Sequence, residues 1–425
     1  MAWSDCCFSC WSFGKKRPNP LLVGVLLLAI LCTTGCWDQE ELEDLAFVTM
    51  IGIEEGNEKE MVRVTYDISN PNAYGRQQGG GDRISSSQIM TLEYPSLTVT
   101  RDLFNITIPR KISLVHTKVL IVSESFARKN SVVRAIESLI RERQFRRDII
   151  LITCKDSAEE FIRKNKRVLS KANYKYFDLI SQTGDTTGYI PTAQLHEFLT
   201  SSEESGEVAT TVYAGLREST DYSDSKNRDT FYAGELVSHY PNPVQLMGTA
   251  LYRSDVMVGR IDGAETTYMR LLRGDLKRYH QMFSDPLKDK KYFACSIFQQ
   301  EKPDIHVDLS HKPYQIKVKV PIDADLDAQQ SDVNYAMSED RIKLLQNQMN
   351  KSLEAASQAL IHKAQTQWKG DIFRFNQKAK QQVWTDPEWD RVDWANQFPK
   401  ARITVTFDCK IRRTGKQLGP FIPQP

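Results

Sequence analysis

Between Ser338 and about Trp368 the chain carries one continuous apolar stripe, and a helix that long dictates what must lie beneath it. Ile342, Leu345, Met349, Leu353, Ala356, Leu360 and Ala364 recur at three- and four-residue steps, the spacing that gathers side chains on one helical face. Ser338 is placed to cap this helix, and Glu339 and Asp340 stand in its first turn, where the helix dipole favours negative charge. Gly370 reads as the stop. At 1.5 Å per residue the element spans about 45 Å, long enough to back a whole sheet.

The rest of the chain supplies sheets. Residues 46–53, 61–69, 112–122, 148–154, 210–216, 231–236, 245–252, 255–260, 305–309, 314–320 and 402–411 read as strands from alternation or β-branched runs. Helices are expected at 132–142, 157–164 and about 264–273. Residues 70–88, with Gly79, Gly80 and Gly81, read as a loop. No Gly-Lys-Ser/Thr follows those glycines, so a phosphate cradle is not indicated. The pattern is α+β, with two to three domains. Each is a mainly antiparallel or mixed sheet packed with helices, and the long C-terminal amphipathic helix belongs to the last. The polar stretch 181–207 suggests an N-terminal domain at 36–205 and a C-terminal region at 206–425, which divides near 300.

The chain has 56 basic and 54 acidic residues. Lys15, Lys16 and Arg17 precede an apolar run at 21–32 (LLVGVLLLAILC), then Thr33, Thr34, Gly35 and Cys36. A basic stretch, a short apolar run and small residues before a cut make an export signal. That assigns 1–35 as a signal peptide. Roughly twenty apolar residues are needed to span a bilayer, and this run is shorter. A cysteine directly after the cut is a candidate for lipid attachment, N-acyl and S-diacylglycerol, although Thr33 stands where a lipobox usually has leucine. Two or more acyl chains hold a protein durably, at about 0.8 kcal/mol per buried methylene. The alternative is a plain secretory signal with an incidental cysteine. Removing 1–35 takes three cations and Asp5, leaving no formal net charge. A nucleic-acid binder needs a basic excess, so that partner is not expected, nor is broad adhesion to anionic lipid.

No catalytic or metal-binding constellation assembles. Cys154, Cys295 and Cys409 sit far apart in strand-like runs and read as small buried hydrophobes. The cluster Cys6, Cys7 and Cys10 lacks a second pair at zinc spacing. His116, His196, His239, His280, His306, His311 and His362 are scattered singly, and no Gly-x-Ser-x-Gly elbow occurs. Asp323, Asp325 and Asp327 alternate as calcium ligands do. Ala328 and Asn334, however, replace the loop glycine and the closing glutamate, so the segment reads as a solvated acidic turn. No cofactor is expected.

Several ordered segments then share a likeness. Residues 35–46 (GCWDQEELEDLA) with Gly52-Ile53-Glu54 resemble the mature opening of the Ger(x)C lipoproteins, C subunits of spore nutrient-germinant receptors. Residues 113–123 and 140–154, Gly248-Thr249-Ala250-Leu251 with 258–266 (VGRIDGAET), 371–375 (DIFRF) and 411–415 continue the resemblance. Arg374 stands where glycine is commoner. The resemblance implies a non-enzymatic lipoprotein, attached through Cys36 to the outer face of the spore inner membrane. It implies assembly with two integral-membrane subunits, one of them permease-like. Readings from other classes are a lipid-anchored solute-binding protein of a transporter and a lipid-anchored cell-wall hydrolase.

Overall fold

The structure, a computed structural model, describes residues 19–21, 24, 41, 44–58, 60–69, 87–166, 173–221 and 230–414. Cys36 and residues 79–81 lie outside the described residues.

Among the described residues the first sheet has nine strands: β1 (Leu45–Glu55), β2 (Val62–Ser69), β3 (Ser87–Tyr94), β4 (Lys111–Ser113), β5 (Val119–Ser123), β6 (Ile150–Cys154), β7 (Val208–Leu216), β8 (Val244–Arg253) and β9 (Val256–Ile261). The order is β3-β2-β1-β5-β6-β7-β8-β9, with β4 beside β1. Strands β1, β5, β6 and β7 run parallel, and antiparallel pairs flank them on both sides. Parallel neighbours need crossovers. These are α2 (Glu124–Lys129) and α3 (Val132–Ile140) before β6, then α4 (Ala158–Lys164), α5 (Asn173–Thr187) and α6 (Leu195–Glu203) before β7. An earlier helix, α1 (Leu97–Thr107), follows β3.

Helices on both faces bury the central strands completely, which explains their unbroken apolar runs. Leu120 and Val122 enter one core with Phe104, Ile136 and Phe198. Val119 and Ile121 enter the opposite core with Phe161, Ile162 and Phe177.

After α7 (Gly263–Arg273) comes a second sheet: β10 (Arg278–Ser284), β11 (Tyr292–Phe298), β12 (Asp304–Asp308), β13 (Gln315–Gln329) and β14 (Arg402–Arg413). The long helix is α8 (Glu339–Lys363). The Ser338 side chain accepts from Arg341 N, as an N-cap should. Leu345, Met349, Leu353 and Leu360 are buried against the second sheet's core. The polar neighbours of that stripe do further work along β14. Asn350 Oδ1 accepts from Cys409 N (3.0 Å), Glu354 Oε1 accepts from Phe407 N (3.0 Å), and Gln358 Nε2 donates to Ile403 O (3.3 Å). Among the described residues strand β14 pairs with β13 alone, so its other edge offers backbone groups outside the ladder. One-turn spacing along α8 satisfies several of them. The α+β class and the long C-terminal helix are therefore as the sequence indicates. The two sheets also share one core, since Val208, Leu251 and Ile261 of the first pack with the second.

Several expectations are corrected. Residues 112–122 are two strands, β4 and β5, separated by a turn at 114–118, because Thr117 and Lys118 bond back to Val48 and Thr49 of β1. Residues 231–236 form turns instead of a strand: Gly234 takes φ +97° and its N–H is bonded by the Gln245 side chain. The polar stretch 181–207 holds the end of α5 and all of α6. Strands after 206 extend the first sheet, and the second sheet begins at Arg278. The acidic segment 323–327 is strand, not turn. Ala324 and Leu326 point into the core, so the three aspartates share the opposite face. Helix α8 ends in a π turn, Ala364–Trp368, and it is Lys369 that takes the left-handed conformation. Gly370 serves close approach instead, because a Cβ there would lie 2.4 Å from Val208 Cγ2.

Candidate functional site

Three of the segments singled out in the sequence, 113–123, 248–266 and 371–375, supply residues at or beside the seam between the two sheets. Strand β5 ends at Ser123, whose hydroxyl accepts from Phe126 N and starts α2. This places Glu124 beside β7 and β9. The Glu124 carboxylate accepts from Tyr213 Oη (2.5 Å), Arg128 Nε (2.7 Å) and Arg260 (3.2 Å). Burial by itself would raise the Glu124 carboxyl. The bonds from Tyr213 and Arg128, with the charge of Arg260, outweigh it and hold the group below its ordinary range. The Arg260 guanidinium lies over the rings of Tyr232 (4.6 Å) and Tyr213 (5.1 Å), a cation–π arrangement.

Residues 248–266 form the next wall. Gly248 takes φ +96°, and a Cβ there would meet Ile261 O at 2.5 Å, so glycine is required at this position. Asp262 caps α7 in a reciprocal box with Glu265. Burial raises the Asp262 carboxyl to about 6, against the opposing bond from Glu265 N. Lys363 of α8 donates to Glu265. The Trp368 indole packs directly on Gly259, where any side chain would collide with it.

Residues 371–375 close the seam. Val208 N donates to Asp371 O (3.0 Å) and Asp371 N donates to Gly206 O (2.9 Å). The fully buried Asp371 carboxylate accepts from Phe373 N and Asn376 N, both at 2.8 Å. Glu207, also buried, accepts from Ser201 Oγ (2.6 Å) and Asn376 Nδ2 (2.7 Å). Arg374 adopts φ +63°, the left-handed region. That conformation favours glycine over residues with a side chain. Here ion pairs to Glu197 (3.1 Å) and Glu207 (3.7 Å) hold the arginine in it. Burial, then the charge of Arg374, lowers Arg273 to about 10. Its Nε donates to Ile372 O (2.8 Å).

Burial raises Asp371 to about 7, reinforced by the charge of Glu207. A carboxyl whose folded value exceeds its unfolded value of about 3.9 stabilises the protein below that unfolded value. Its contribution is lost as pH rises to about 7. Asp371→Asn is therefore expected to flatten the fall in unfolding free energy between about pH 4 and 7, read from urea titrations at several pH values. An unchanged slope contradicts the assignment.

The chemistry of the seam is structural: its charges are consumed by one another and by backbone groups. One cluster elsewhere mimics a hydrolytic triad. Ser296 Oγ lies 3.2 Å from His280 Nδ1, which lies 3.3 Å from Asp327, and Ser296 also donates to Asp327 (2.8 Å). A relay needs the imidazole to bridge nucleophile and acid through its two nitrogens, whereas both contacts here use Nδ1. No local pattern announces this cluster, because its members lie on β10, β11 and β13. Cys154, Cys295 and Cys409 are free and buried. Among the described residues no group of His, Cys, Asp and Glu could hold a metal ion, and no helix is long and apolar enough to cross a membrane.

The two-sheet fold is that of a solved protein, described as the crystal structure of the GerBC protein. The TM-score is 0.51 at 18% identity, covering 88% of this chain and all of that one. A model of the spore germination protein N-terminal domain matches residues 38–214. A second, spore germination B3/GerAC-like C-terminal, matches 247–415. The chain belongs to the Ger(x)C family of spore germination proteins. Among Bacillus subtilis (strain 168) relatives, spore germination protein YndF is 22% identical over 426 positions, covering 94% of this chain and 98% of that protein. Spore germination protein KC is 29% identical over 146 residues, so that match spans about a third of either chain, 34% and 36%. Spore germination protein B3 is 20% identical across 82% of this chain and 85% of its own.

Proposed function

We propose that this chain is the lipid-anchored, non-enzymatic subunit of a spore germinant receptor, needed for nutrient-triggered germination. In this reading 1–35 is a signal peptide, and Cys36 carries the N-acyl and S-diacylglycerol groups. The protein works on the outer face of the spore inner membrane with two integral-membrane subunits, one permease-like. The observation that carries it is the pair of family matches, which begin two residues after Cys36 and continue to residue 415. The self-satisfied charges of the seam suit a rigid scaffold for assembly better than a reaction site.

Cys36→Ala tests the anchor. The expected result is loss of labelled palmitate from the protein and a reduced germination response, with the far-UV spectrum unchanged. Label retained on that variant contradicts the assignment of Cys36.

A further inference from the structure

A cavity of about 290 Å³ lies between α7 and β10. Tyr189, Tyr268 and Tyr279 form its walls, and the exposed His280 and Met282 stand at its mouth. None of the residues lining it is Asp, Glu, Lys or Arg. The walls are held in place. Gln281 Nε2 donates to Tyr268 Oη (3.1 Å) and Tyr279 Oη donates to Gln281 Oε1 (3.0 Å), so one amide ties two rings together. The third wall is fixed through its backbone, where Gly248 N donates to Tyr189 O (2.9 Å).

The mouth opens on an edge of the second sheet. Among the described residues β10 pairs with β11 alone. Lys277 O accepts from Gln299 N (3.2 Å), and Asp285 N donates to Lys291 O (2.9 Å). Bonded pairs alternate with unbonded ones in an antiparallel ladder, so they fall on the odd residues here. His280 and Met282 therefore turn their N–H and C=O groups away from β11, to the open edge.

Three tyrosine rings without formal charge suit an aromatic guest, because ring pairs gain more than their area burial when offset or edge-to-face. A methionine at the mouth adds sulfur–aromatic contact. The edge backbone offers donors and acceptors to a polar group on that ring. The volume is small against ligand cavities of about 300–1,000 Å³, which limits the guest to about one or two rings.

We propose that this cavity binds a small aromatic solute carrying a hydrogen-bonding group, its ring among the tyrosines and its polar group at the β10 edge. The proposal goes beyond the receptor reading and does not rest on it, since binding is read on the purified chain. Occupancy would bear on α7, the helix whose Glu265 is bonded by Lys363 beside the seam.

Residues 46–425 form one compact unit, so the test uses residues 37–425, which keep both sheets. The probe is phenol, and its match is cyclohexanol, of similar size without the π system. In calorimetry phenol should saturate one site with a dissociation constant on the order of 0.1–1 mM. Cyclohexanol should bind about three- to tenfold more weakly. Ala264→Phe, which fills the cavity, should weaken phenol by about tenfold or more. Ala355→Phe, the same change at an exposed position of α8, should leave binding unchanged. Methionine methyl NMR of the unsubstituted chain locates the site independently. Phenol should shift the Met282 methyl and leave that of Met61, between β1 and β2, unmoved. Failure to saturate, cyclohexanol binding as tightly as phenol, or an unmoved Met282 methyl overturns the proposal. So does a folded Ala264→Phe chain that binds undiminished, or equal loss in Ala355→Phe. Any of these leaves the receptor reading to its own germination test.

Discussion

Replacing Arg270 with alanine is expected to cost about 3–5 kcal/mol of folding stability, the range for breaking a buried ion network by removing one partner. Arg270 sits on α7 and is 1% exposed. Its guanidinium uses every donor it has. Nε donates to Asp275 Oδ1 (2.8 Å), one terminal nitrogen to Gly184 O (2.6 Å) and Ile190 O (2.8 Å), and the other to Asp275 O (2.7 Å) and Asp185 (3.1 Å). Alanine takes the Arg270 donors from Ile190 O and Asp275 O, leaves Gly184 O with its bond from Gly188 N alone, and removes this tie between the end of α5 and α7. Arg270→Met keeps much of the volume but none of the bonds, so it should recover little. Urea midpoints at constant m measure the loss, and a cost below about 1 kcal/mol contradicts the network's importance.

Leu353→Ala is the second large effect, expected at about 2–5 kcal/mol from lost transfer energy plus the cavity left behind. Leu353 is fully buried at the middle of the α8 stripe, in the core shared by both sheets. Leu353→Met, which conserves volume, should cost less than about 1.5 kcal/mol. Equal costs for the two variants would mean that the site relaxes freely and that α8 is not packed as described.

The same stripe shows how far the sequence could be read. The 3.6-residue period of Leu345, Met349, Leu353 and Leu360, the Ser338 cap and the helix at about 264–273 are local signals, and each appears where expected. Local signals fail where a backbone partner elsewhere decides. The apolar run 112–122 looks like one strand, yet Val48 and Thr49 take the bonds of Thr117 and Lys118 and break it in two. Strand β10 escaped notice because Arg278 and His280 face solvent at the sheet edge, leaving Tyr279 and Phe283 as its only buried side chains. The seam is readable in part. Its segments stand out in the sequence, but Glu124 and Arg260 meet across 136 residues, and no period encodes that pairing. Arg374 is the sharpest case: its oddity in the sequence becomes a left-handed backbone position held by Glu197 and Glu207.

The central claim, that this protein is a subunit through which spores sense nutrients, is tested most directly by deletion. Spores lacking the chain, challenged with a panel of single nutrients and followed by loss of refractility, should lose the response to at least one of them. Expression of the intact chain should restore that response. A wild-type response to every nutrient, with the chain absent, contradicts the account.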